Sequence, residues 1–238
     1  MLICSFDLET TGVDVTTARI VTAACIDVDT VTNAKTDYNW VADPGVEIPA
    51  EAAAVHGWTT ERARTEGQDH DKVVNELISH IYDAWNAGAY LVVYNAAYDL
   101  SLLHVLSGGT FEIRGPVIDP LVLDKYFDKY RRGNRKLITV ATHYGFTFSE
   151  EEAHAADADA VMAALVADSM KNNVYASQFP QSTSDLMKLQ MDAKAEQTRS
   201  LRAYFEKQGR PFDGDEGWPI QFAALNKVGT SSSTTYKW

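Results

Sequence analysis

The stretch CSFDLETTG, residues 4–12, sets two carboxylates, Asp7 and Glu9, two positions apart at the end of an apolar run, with a glycine turn behind them. In an extended strand, residues i and i+2 share a face about 6.5 to 7 Å apart. Asp7 and Glu9 therefore share one face, and Leu2, Cys4, Phe6 and Leu8 take the other. A lone pair of this kind is ordinarily two solvated acids at a strand end. Asp99, in YNAAYDLSLLHVL, adds weight. Leu102, Leu103 and Leu106 follow it by three, four and seven residues, which places it on the apolar stripe of a helix. No lysine or arginine follows in that helix, and a buried carboxylate is costly unless it is paired or bound to metal. The third piece is HAADADA, residues 154–160, where His154 precedes a helix and Asp157 and Asp159 lie in its first turns. Helical periodicity does not choose between those two aspartates, because residues 160–167 are apolar nearly all round.

Several carboxylates converging on one site repel one another and rise in pKa. Hard divalent cations remove that conflict through oxygen ligands. Two such ions about 3.5 to 4 Å apart clamp a phosphoryl group, activate a water and stabilise a leaving oxygen. A histidine beside them, with an unperturbed pKa of about 6.5, suits taking the proton from that water.

Elements must hold these groups in place. LICSFDLE, ARIVTAACIDVD and AKTDYNWVA read as three strands at short spacing, an antiparallel meander. PAEAAAVHG reads as a short helix that ends at Gly57. In DHDKVVNELISHIYDAWNAG, Val73, Leu77, Ile81 and Trp85 recur at i+4, an amphipathic helix stopped by Gly88. AYLVVYN is a continuous apolar run, as a buried parallel strand is. Asn95 is placed to cap the helix AAYDLSLLHVL. PVID is a short strand, and three helical patterns follow, over PLVLDKYFDKY, KLITVATHYG and DADAVMAALVADSM. Strands first, then alternation with helices, is an α/β pattern with a mixed sheet. Residues 171–185 are polar and turn-rich and read as a connection. A helix over roughly 185–207 offers Leu186, Leu189, Ala193, Leu201, Tyr204 and Phe205 to one face. GDEGWPI then reads as a loop, and the Ser/Thr end as a mobile tail.

The formal net charge is −12, which argues against a generic nucleic-acid coat. It leaves room for an enzyme that meets phosphates through metal ions and a local basic patch. Residues 125–136, KYFDKYRRGNRK, are such a patch: six basic side chains, Arg131, Arg132 and Arg135 among them, against the single acid Asp128. No apolar run reaches the length of a membrane span, and MLICSFDLE lacks a basic leader region, so no secretory signal is expected. Cys4 and Cys25 lie in apolar runs, read as reduced cysteines packed as small hydrophobes, and fit a cytoplasmic setting.

Asp-x-Glu-Thr-Thr-Gly on the first strand, Asn-Ala-x-Tyr-Asp at 95–99 and His-x-Ala-x-x-Asp-Ala at 154–160 together resemble the motifs of the DEDD exonuclease superfamily. A histidine five residues before the last aspartate resembles the DEDDh branch, which includes DnaQ-like proofreading subunits and RNA-trimming enzymes. The other branch has a tyrosine where this chain has Ala155. The resemblance covers residues 1–170 and implies a ribonuclease H-like α/β fold: a mixed five-stranded sheet flanked by helices, with residues 171–238 as a C-terminal helical extension. It implies that Asp7 bridges two metal ions, Mg²⁺ or Mn²⁺. Glu9 and Asp159 complete the nucleophile-side site, Asp99 supports the second ion, and His154 is the general base. The family spacing selects Asp159 over Asp157. VHGWTT resembles the segment lining the pocket for a 3′-terminal nucleotide, which makes Val55 and His56 candidates there; capping or packing is the alternative for His56. Thr10 and Thr11 are similarly placed. Asp119, at the start of a helix, suits an N-cap better than a metal. The implied activity is a 3′→5′ exonuclease on single-stranded ends, DNA favoured, releasing nucleoside 5′-monophosphates. An RNA-trimming enzyme is one alternative. A proofreading or docking subunit that meets a polymerase, or a second copy, through the C-terminal helix is the other.

Overall fold

The alternation read in the first strand is the one the fold uses. The computed structural model describes residues 1–148 and 156–237. Strand β1 (Leu2–Thr10) pairs antiparallel with β2 (Ile20–Asp29), and β2 with β3 (Ala34–Asp43). A two-residue strand, β4 (Gln68–Asp69), runs parallel to the end of β3. On the other edge of β1, β5 (Tyr90–Val92) runs parallel, and β6 (Val117–Ile118) runs parallel to β5. The sheet order is β4-β3-β2-β1-β5-β6, so it has six strands where five were expected. The sixth is too short to show a period. Gly67 admits it: a Cβ there would lie 2.3 Å from the Ala63 carbonyl oxygen and 2.4 Å from the Asp43 nitrogen.

The helices are α1 (Ala50–His56), α2 (Thr60–Glu66), α3 (His70–Asn86), α4 (Ala96–Leu106), α5 (Pro120–Phe127), α6 (Leu137–His143), α7 (Ala156–Ser169), α8 (Thr183–Lys207), α9 (Phe222–Val228) and α10 (Ser232–Thr235). Cys4, Phe6 and Leu8 pack into a core with Leu77 and Ile81 of α3, Leu100 and Leu103 of α4, and Trp218. Ile3 belongs to a second core with Val92, Ile118, Leu186 and the α7 residues Met162, Ala163 and Val166. Asp7 and Glu9 share Ile3's parity and so extend toward the α7 side.

Residues 171–238 are built into these cores. Helix α7 runs on into a π-helical turn, Met170–Val174, where a connection was expected. On α8 the Gln190 side chain accepts from Asp119 N–H at 2.7 Å and donates to the Val117 carbonyl at 2.9 Å, which pairs it with the outer edge of β6. Gln197 donates to the Val122 carbonyl at 3.0 Å. The inward residues of α8 are Leu186, Met187, Gln190, Ala193 and Thr198, while Leu201 and Tyr204, expected on the packed face, are exposed. The tail expected to be mobile is tied down: Ile113 N–H donates to Thr235 and Lys237 N–H to Ile113, at 2.9 and 2.7 Å, and Thr230 Oγ1 meets His104 Nε2 at 2.6 Å.

Candidate active site

Asp7 and Glu9 lie opposite Ala24 and Thr22 of β2, immediately before a register shift at Glu9 and Thr10. A bulge at a strand end turns the side chains beside it. Asp99 is 4% exposed, on the first turn of α4, and Asp159 is half-buried on the first turns of α7. The charges of Asp99, Asp159 and Glu9 all reach Asp7, so the four share one site. Burial, then the charges of Asp99, Asp159 and Glu9, hold the Asp7 carboxyl well above its ordinary range. Burial and Asp159 push Glu9 up to about 7. Burial, Asp119 and Glu9 raise Asp99, and the Leu8 amide pulls partly the other way. Asp157 is exposed and accepts from the Ala158 N–H at 2.9 Å, so it is Asp159 whose charge reaches Asp7 and Glu9.

The donor set is oxygen only and overloaded with negative charge, so it fits hard divalent cations and does not fit zinc-type thiolate coordination. His154 lies outside the described residues.

Several groups shape the rim. Tyr98, one residue before Asp99, hydrogen-bonds through its hydroxyl to Thr10 Oγ1 at 2.7 Å and donates to the Gly12 carbonyl, pinning the turn after β1 against α4. The Thr10 hydroxyl also meets the Gly12 carbonyl, and Thr11 Oγ1 accepts from Arg19 N–H at 3.0 Å, so both threonines order that turn. Sequence reasoning passed over Tyr98, although its place inside the second motif was the available signal. Val55 is 62% exposed. Beside it, Gly57 ends α1 at a positive φ of 74°. His56 Nδ1 accepts from Trp58 N–H at 3.1 Å, and its buried Nε2 has no hydrogen-bond partner among the described residues. Burial lowers the His56 pKa, and the Thr10 backbone opposes that shift.

Asp119 is the N-cap that its position predicted. It accepts from Leu121 and Val122 of α5, and also from the Asn95 and Ala96 amides at 3.1 and 3.0 Å and from the Trp218 indole at 3.2 Å. It thus caps α4 in place of Asn95, which takes a left-handed backbone and makes no side-chain cap. The basic stretch divides. Arg131 and Arg135 are 11% and 13% exposed and both reach the fully buried Asp124, Arg135 at 3.1 Å. Arg132 stays exposed.

A family model for RNase_T exonucleases matches residues 4–167. A curated relative, a DNA polymerase III subunit epsilon-like protein of Rhodobacter capsulatus, is 30% identical over 171 residues, which is 67% of this chain and 22% of the relative. An exonuclease I of Methylocaldum szegediense has a similar fold, with a TM-score of 0.56 and 21% identity over 72% of this chain and 40% of that one. An E. coli exonuclease I, solved with a dT13 oligonucleotide, has a TM-score of 0.58 and 16% identity over 72% and 41%. The chain thus spans about a fifth of the curated relative and two fifths of these structures. The motif carboxylates gathered at the end of β1, the sheet order and the match over residues 4–167 agree, and the chain belongs to the DEDDh, DnaQ-like exonucleases of the ribonuclease H-like superfamily.

Proposed function

We propose that this chain is a metal-dependent 3′→5′ exonuclease that hydrolyses single-stranded nucleic acid, DNA in preference to RNA, to nucleoside 5′-monophosphates. The observation that carries this reading is the set Asp7, Glu9, Asp99 and Asp159, in which the charges of the other three raise Asp7, that of Asp159 raises Glu9, and that of Glu9 raises Asp99. Asp7, Glu9 and Asp159 would hold one cation, and Asp7 with Asp99 the second, with Mg²⁺ or Mn²⁺ the suited ions. When bound, the cations supply a water acidic enough to attack at neutral pH and offset the charge on the phosphate. The chain's own residues do the rest. The Tyr98-pinned turn, the exposed Val55 face and His56 receive the terminal nucleotide. His154 takes the proton of the attacking water, and the 3′ oxygen of the preceding nucleotide leaves.

For His154→Ala the expected result is a rate loss of about 10²- to 10⁴-fold, the usual worth of a general base, with calorimetric metal binding mostly kept. Loss of metal binding as well would remove His154 from that role.

The reading itself is tested with 5′-labelled single-stranded DNA and RNA, in Mg²⁺ or in EDTA. A ladder shortening from the 3′ end only with metal, and faster on DNA, supports it. A faster ladder on RNA turns the proposal to RNA trimming. No cleavage by folded protein favours the docking reading, for which the exposed Leu201 and Tyr204 of α8 offer a surface to a polymerase or a second copy. Among the described residues no helix is long and apolar enough to cross a membrane. The free cysteines suit the cytoplasm as its setting.

A further inference from the structure

On the face of β1 opposite Asp7 and Glu9, a separate group of side chains meets under α3. Cys4 and Cys25 are fully buried, and their sulfurs lie within 4.8 Å of each other and of a ring nitrogen of His80. Asp27, opposite Cys4 in the strand register, has both carboxylate oxygens 3.2 Å from His80 Nε2. We propose that Cys4, Cys25 and His80 bind a thiophilic divalent cation of the zinc class, with Asp27 holding the imidazole in place.

Four physical points carry the proposal. Two thiolates and an imidazole are the ligand types that such cations select. Sulfurs bound tetrahedrally to zinc lie about 3.8 Å apart, as follows from a Zn–S length of about 2.3 Å, so sulfurs within 4.8 Å need to close by no more than about an ångström. A disulfide fits worse, because Cys25 pairs with Phe6, which makes Cys4 and Cys25 diagonal neighbours. Diagonal Cα atoms lie about 7 to 8 Å apart, beyond the usual reach of a disulfide. Finally, the two thiolate charges cancel that of the cation, so no unpaired charge is buried.

The surroundings fit a bound ion. Asp27 takes His80 Nε2, so the site requires Nδ1 as the ligand, and a carboxylate on the other ring nitrogen is the usual outer support of a metal-bound histidine. A surface cavity of about 220 Å³, lined by Leu2, Asp27, Thr36 and Ala84 among others, opens beside Asp27. The Tyr38 ring, 4.3 Å from the imidazole, covers the other side. Asp27 and Cys4 hold His80 protonated up to about 10.

The test uses the full chain loaded with Co²⁺ or Zn²⁺ alone. The expected result is a thiolate-to-cobalt charge-transfer band and one zinc per chain retained through gel filtration. The band should be lost in Cys25→Ala and in His80→Gln and kept in Asp7→Asn, whose carboxylate site has no sulfur. Asp27→Asn should weaken affinity about 10- to 100-fold. Folded wild-type protein that shows neither the band nor retained zinc overturns the proposal. So does a band that survives unchanged in folded Cys25→Ala.

Discussion

Asp7→Asn is expected to reduce hydrolysis by on the order of 10³-fold or more and to leave a folded protein that, without metal, is at least as stable as wild type. The rate loss follows because metal-assisted charge stabilisation is worth several kcal/mol and each ~1.4 kcal/mol is tenfold in rate. The stability gain follows because Asp7 lies within the field of Asp99, Asp159 and Glu9, and asparagine removes one charge from that field. Single-turnover digestion of a 5′-labelled strand reads the first effect, and thermal melting in chelator reads the second. The pH dependence has a definite sign. Glu9 holds its proton to about 7 in the folded chain, against 4.5 for the free group. Between those values the folded state binds more protons than the unfolded state, so stability is full below 4.5 and falls as pH climbs through about 7. The chelated wild type should melt progressively lower across that window, and Asp7→Asn should flatten the trend. A variant whose melting curve collapses would show that Asp7 is structural.

The second large effect lies away from the chemistry. Asp124→Asn should cost about 3 to 5 kcal/mol, because it removes the buried charge shared by two nearly buried guanidiniums, leaving Arg135 without a carboxylate and Arg131 with Asp128 alone. At roughly 2 to 4 °C per kcal/mol for a chain of this size, Tm should fall by on the order of 10 °C. Arg132→Gln is the control. It should leave Tm nearly unchanged and lower the salt slope of single-strand binding by about 0.7, the share of one phosphate contact on a single strand. Equal melting temperatures for Asp124→Asn and wild type would return Arg131 and Arg135 to the substrate-facing role read from the sequence.

That pair marks a boundary of what the sequence makes legible. A run of basic residues is visible, but the burial of Asp124 inside PLVLDKYF is not, and burial decides where the guanidiniums turn. Strands β1 to β3 and helix α3 were readable because their apolar periods are long. Helix α2, TERARTE, buries only Ala63 and has no stripe to read. The inward face of α8 was misassigned because two of its buried residues, Gln190 and Thr198, are polar and point in to make hydrogen bonds. The tail looked mobile by composition, yet its order comes from Ile113 and His104, more than a hundred residues away. The carboxylates were legible because their cost when buried demands a reason. Choosing between Asp157 and Asp159 needed the family spacing, and the charge felt by Asp7 and Glu9 agrees with that choice.

Gln190 acts as a substitute strand. By matching a donor and an acceptor to β6, it occupies hydrogen-bonding positions on the outer margin of the sheet, where another polypeptide would otherwise add. A fragment trimmed to the family-sized piece near residue 170 would bare that margin and tend to self-associate. Lost solubility in such a deletion therefore reports a missing lid on the sheet, and separating it from a lost binding partner requires point changes on the exposed part of α8 instead.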